Sequence, residues 1–149
     1  MKKRITLNTI KEIDGYMDDL RTSAEEVELK LAQVLEHADP LDLLYRIKFE
    51  GIGCDPFDSR RSLNLVEQIN QTFTYLASFK AAKMLFLWHQ GLTSLRLNLG
   101  TQSGTDIESD CDGGISAEVF AAVAPSSNDK LRKDINKLWN FGNVVSYVA

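Results

Sequence analysis

The feature that most constrains the fold is a change of period near Gly91: upstream, apolar residues recur every third or fourth position, and downstream every second. Ile10, Ile13, Met17 and Leu20, then Val27, Leu31, Val34 and Leu35, predict amphipathic helix over 8–37. Ser23-Ala24-Glu25-Glu26 has capping-box spacing, so this stretch reads either as one helix or as two with a break near Thr22. Asp39-Pro40 supplies a cap and a first-turn proline for a short helix over 41–49, which Gly51 ends. Residues 51–61, with Gly53, Asp55-Pro56 and Asp58, read as loop. A second long helix opens at Asn64-Leu65-Val66-Glu67, again with capping-box spacing. Its apolar stripe is Leu65, Ile69, Phe73, Leu76 and Met84 with Leu87 or Trp88, and it ends around Gln90-Gly91.

Past that point Leu95, Leu97 and Leu99 alternate with Ser94, Arg96 and Asn98, the period of a half-buried strand. Residues 106–110 and 115–123 read as two more strands around the turn Cys111-Asp112-Gly113-Gly114, forming a hairpin. Pro125-Ser126-Ser127-Asn128-Asp129 opens a further helix with Leu131, Ile135 and Leu138 on one face, and 144–148 is a last β-rich segment. The expected fold is of α/β class, in the α+β sense, as a single domain over 1–149. A helical N-terminal region at 8–49 precedes helix, three strands, helix and strand over 64–149.

With 149 residues, 44% hydrophobic and 26% charged, the chain can bury a real core, which excludes a disordered or low-complexity protein. Seventeen Lys plus Arg against 21 Asp plus Glu leave a net charge of -4, so nucleic-acid contact would require a local basic patch. The candidates are Lys2-Lys3-Arg4, Arg60-Arg61, Lys80 with Lys83, and the cluster from Lys130 to Lys137. Cys54 and Cys111 are far apart and lack CxxC spacing, which argues against a disulfide framework and a cysteine zinc site and points to a reducing cytoplasm. The segment after Met1-Lys2-Lys3-Arg4 is too short for a signal peptide, and no run approaches the ~18 apolar residues of a membrane span.

The chemistry concentrates in Gly104-Thr105-Asp106-Ile107-Glu108-Ser109-Asp110, where carboxylates at every second position share one face of a strand. A three-residue loop at Cys111-Asp112-Gly113 pairs 110 with 114, 108 with 116 and 106 with 118, setting Asp106 against Glu118. A two-residue turn at Asp112-Gly113 instead opposes Asp106 to Val119. Opposed carboxylates repel unless a cation or a shared proton intervenes, and Mg²⁺ or Mn²⁺, held by one or two carboxylates and waters, fits that need. The bland reading is a solvated acidic hairpin tip, against which stands Glu118, set among the apolar and small residues of 115–123. Glu108-x-Asp110-x-Asp112-Gly113-x-Ile115 imitates half of an EF-hand loop, but its twelfth position is Val119 and its flanks read as strands.

With the element order over 64–149 and these acids, the sequence resembles the PD-(D/E)XK nuclease superfamily, the restriction-endonuclease-like fold. The resemblance implies Asp106 and Glu118 as ligands of catalytic Mg²⁺ or Mn²⁺, with Glu67 on the first core helix assisting. It implies a metal-dependent nuclease hydrolysing phosphodiester bonds in DNA. The lysine expected two residues after the second acid is Phe120, which leaves Lys133, or Lys130 as second choice, to supply the cation, or marks a site that kept the fold and lost the chemistry. The competing expectation is therefore a non-catalytic module that binds DNA or a protein, with a homodimer formed through the N-terminal helices.

Other residues are read as structural. Glu67 is also the fourth member of the Asn64 capping box, and Gln68 and Gln71 read as exposed helix glutamines. Phe73, Tyr75, Phe79, Phe86 and Trp88 read as core rather than base-stacking residues. Serine-hydrolase, Walker and dinucleotide fingerprints are missing from the sequence.

Overall fold

The computed structural model describes residues 2–36, 39–100, 104–109, 114–119, 121, 129, 132, 133, 135 and 136. It opens on a strand, β1 (Lys2–Leu7), followed by α1 (Ile10–Leu35) and α2 (Pro40–Phe49). A hairpin of β2 (Gly53–Asp55) and β3 (Asp58–Leu63) leads into α3 (Leu65–Trp88), then β4 (Leu95–Gly100), β5 (Ile107–Ser109) and β6 (Ser116–Ala117). Helices and antiparallel sheets together make the chain α+β. Two compact units result, one from 1–14 with 74–149 and one from 15–73.

The first unit is built on a sheet of order β1-β4-β5-β6, every pair antiparallel. Alternation decides its faces: Leu95, Leu97 and Leu99 of β4 are buried, as are Leu7, Ile107 and Ala117 beside them. Tyr75, Phe79, Ala82 and Leu85 of α3, Ile13 of α1 and Val119 beyond β6 complete the unit's buried apolar set among the described residues. Strand β1 precedes the helical region expected at 8–49 and adds a strand that the sequence reading does not include. Its six residues are mostly charged or polar, and it is recognisable only through its partner, with Lys2 to Leu7 running opposite Gly100 to Leu95.

The second unit contains the rest of α1, all of α2, the β2–β3 hairpin and the start of α3. The hairpin corrects the loop expected at 51–61. Gly53 pairs with Leu63, Cys54 with Ser62 and Asp55 with Asp58, with a bulge after Cys54. Asp-Ser-Arg-Arg-Ser-Leu carries almost no apolar pattern, so side-chain bonds rather than alternation hold β3 in place. Helix α1 is unbroken, and Ser23, read as a cap, lies buried within it. Helix α2 begins as expected, with Asp39 accepting from the N–H groups of Leu41 at 2.9 Å and Asp42 at 3.4 Å.

Helix α3 occupies its predicted span but buries a different face. Gln68, Tyr75, Ser78, Phe79, Ala82 and Leu85 are inside; of the predicted stripe Leu65 is buried and Leu76 half-buried, while Ile69, Phe73, Met84, Leu87 and Trp88 are exposed. This helix is apolar on most of its circumference, so periodicity cannot select a face. Strands β5 and β6 are shorter than the predicted 106–110 and 115–123. Of the closing helix, residues 132, 133, 135 and 136 are helical, and the segment 144–148 lies outside the described residues.

Candidate functional site

The polar face of the first unit's sheet gathers the charged residues of the region. Pairing across the strands sets Thr6, Arg96, Glu108 and Ser116 in one row. In the next row Arg4 pairs with Asn98, and Asn98 N–H donates to the Asp106 carbonyl at 2.8 Å. Ile107 pairs with Ala117 and Glu108 with Ser116, which is the register of the three-residue-loop alternative. Continued by one residue, that register sets Asp106 opposite Glu118, so this row reads Arg4, Asn98, Asp106, Glu118. The loop residues 110–113 themselves lie outside the described residues.

Side chains extend the β5–β6 ladder at both ends. Ser109 N–H donates to the Ile115 carbonyl at 2.9 Å, and Ile115 N–H returns to the Ser109 hydroxyl at 2.7 Å. At the other end Val119 N–H donates to Asp106 Oδ2 at 2.8 Å. The ladder's alternation makes 106/118 a non-hydrogen-bonded site, where opposed side chains come closest. Asp106 is half-buried and Glu118 only 6% exposed.

Glu108 is committed elsewhere. Its Oε1 accepts from Thr105 N–H at 3.1 Å and from the Thr105 hydroxyl at 3.2 Å, and its Oε2 lies 3.5 Å from Arg96 Nη1. Buried Asn98 ties the same turn to the sheet, accepting from Arg4 Nε at 3.0 Å and donating to the Thr105 carbonyl at 2.7 Å. The alternating carboxylates therefore divide their tasks: Glu108 folds the entry to β5, while Asp106 closes the ladder with one oxygen opposite Glu118. Among the described residues no group of three or more His, Cys, Asp or Glu is arranged to hold a metal ion. Two opposed carboxylates with one oxygen tied to a backbone N–H still fit a hard cation that retains several waters.

The remaining candidates lie in other places. Lys133 is exposed on the helical segment after the hairpin, where Arg132 pairs with Asp129; Lys130 and Phe120 fall outside the described residues. Glu67 belongs to the second unit, and its N–H donates to Asn64 Oδ1 at 2.8 Å, as the capping box requires. Its carboxylate lies 3.8 Å from Arg61, which also binds Asp55 at 3.0 Å. Arg61 thus faces two acids, and Arg60 pairs with Asp58 at 3.2 Å, which weakens both as phosphate contacts.

Sequence reasoning missed Arg4, Arg96 and Asn98 as neighbours of the acids. The alternation of β4 already put Arg96 and Asn98 on one face, but Arg4 needed the pairing of β1, which nothing local announces. No protein-family model, no curated protein and no solved structure matches this chain.

Proposed function

We propose that Asp106 and Glu118 bind a divalent cation, Mg²⁺ or Mn²⁺, and that the chain is a metal-dependent nuclease hydrolysing phosphodiester bonds in DNA. The observation that carries this reading is the β5–β6 register, Ile107 opposite Ala117 and Glu108 opposite Ser116, which extended by one residue would set the two acids against each other. A bound cation would polarise a phosphoryl oxygen and lower the pKa of a coordinated water. Arg4 and Arg96 add positive charge to the sheet face that carries the acids, and the lysine that the PD-(D/E)XK resemblance calls for would be Lys133 or Lys130. The buried thiol of Cys54 is in keeping with a cytoplasmic setting. No helix among the described residues is long and apolar enough to cross a membrane.

A second reading, a non-catalytic module of the same kind that binds DNA or a protein, is favoured by the structural duties of Asp106 and Glu108. Nicking of supercoiled plasmid with Mg²⁺ or Mn²⁺ separates the two. Asp106→Asn keeps an acceptor for Val119 N–H while removing the charge, and Glu118→Gln does the same for the opposing acid. Metal-dependent nicking that falls by at least about 100-fold in both variants, with unchanged melting, is the expected result. Equal nicking by all three proteins, or none by any, overturns the nuclease reading and leaves the binding module.

A further inference from the structure

Helix α2 buries none of its residues, although six of its ten are apolar side chains other than proline. Leu43 and Ile47 are half-buried on one side. The opposite side carries Leu41, Leu44, Tyr45 and Phe49, exposed by 77, 61, 58 and 64%. Their spacing of three and four makes one continuous stripe, and the Tyr45 and Phe49 rings stand 5.1 Å apart. A helix apolar on both sides belongs in an interior, so the outer stripe requires a cover.

The helix's charges identify that cover. Its N-terminal end carries Asp39 and Asp42, and its last turn carries Arg46 and Lys48; Arg46 pairs with Glu50 at the same end at 3.0 Å, which leaves Lys48 to face the acidic end of a second copy. Two copies laid antiparallel bring each acidic end over the other's basic end and oppose the helix dipoles, whereas a parallel pair stacks like on like. Centred on Tyr45, the antiparallel pair sets Leu41 of one copy over Phe49 of the other and Tyr45 on Tyr45. The four side chains offer roughly 500 Å² per copy, or about 1,000 Å² for the pair, the lower bound of a specific interface.

We propose that the outer face of α2 is a homodimer interface, formed by antiparallel two-fold packing of Leu41, Leu44, Tyr45 and Phe49 against the same residues of a second copy. This assignment stands whether or not the acidic hairpin binds metal.

Sedimentation equilibrium of the full chain provides the test. The expected result is a reversible dimer with a dissociation constant on the order of 10 µM, weakened at least about thirty-fold by Tyr45→Glu. Because Tyr45 is exposed in the single chain, this variant retains the parent's far-UV circular dichroism. Asp42→Lys and Lys48→Glu each weaken the dimer about three- to tenfold, and the double variant recovers it, because the reversed ends again face each other. A chain that stays monomeric at about 300 µM overturns the proposal, as does a dimer indifferent to Tyr45→Glu. A dimer sensitive to Tyr45→Glu but not recovered in the double charge variant overturns the antiparallel arrangement.

Discussion

The side-chain amide of Gln68 joins three segments of the second unit. Its Oε1 accepts from Cys54 N–H at 2.7 Å, and its Nε2 reaches the Ser23 hydroxyl at 3.1 Å and carbonyl at 3.4 Å. A backbone N–H on the buried strand β2 is thereby satisfied by a helix side chain, since β2 pairs with β3 on one side and turns its other edge to α3. Gly53 makes room for this: a Cβ there would stand 2.3 Å from Gln68 Oε1 and 3.2 Å from the Leu63 carbonyl. Gln68→Met fills the same space but strands the Cys54 N–H, and is expected to destabilise the protein by about 2–3 kcal/mol in urea denaturation. Gly53→Ala should cost a similar amount through the clash, about 1–3 kcal/mol. Gln68 reads in the sequence as an exposed glutamine, because a helix that is apolar nearly all round gives no sign that one of its polar residues is buried with a purpose.

At the scale of elements, what was legible followed caps and alternation. Asp39-Pro40 placed α2, Asn64 with Glu67 placed the start of α3, and the alternating leucines placed β4 and its buried face. The hairpin register was one of two alternatives open in the sequence, and the pairing of Glu108 with Ser116 selects between them. What could not be read is held by long-range or side-chain bonds. Strand β1 is defined by β4, and β3 by Asp55, whose buried carboxylate takes Phe57 N–H at 2.9 Å and Arg61 at 3.0 Å. The face of α3 was misassigned because small residues, Ser78 and Ala82, line the side that packs, while larger apolar residues look outward. Two phenylalanines on that helix therefore behave differently. Phe79→Ala is expected to cost about 3–5 kcal/mol and Phe73→Ala less than ~0.5 kcal/mol, measured by chemical denaturation.

On the scale of the whole molecule, the division into two units falls inside helices. Helix α1 enters the second unit at Gly15, and α3 leaves it at Phe73, so each unit owns part of both. Melting one unit alone would cut two helices in mid-course and expose backbone groups that each helix satisfies internally. A single unfolding transition is therefore expected, and Gln68→Met in one unit and Phe79→Ala in the other should both displace it as a whole. Circular dichroism and hydrogen exchange at sites in each unit provide the check; two separable transitions would show that the units unfold independently.

The pairing of β1 with β4 also sets an order of events during synthesis. Leu7 must wait for Leu95, about ninety residues later, whereas every strand pair of the second unit lies within 53–63. At the usual pace of translation, roughly 5–20 residues per second, this strand leaves the ribosome several seconds before β4, its neighbour in the sheet among the described residues, exists. Its positive charges, Lys2, Lys3 and Arg4, are the kind of residues that keep a waiting strand from joining another nascent chain. Arg4, which in the finished sheet stands in the row of Asn98 and Asp106, thus also helps to protect the strand that carries it while the rest of the protein is still being made.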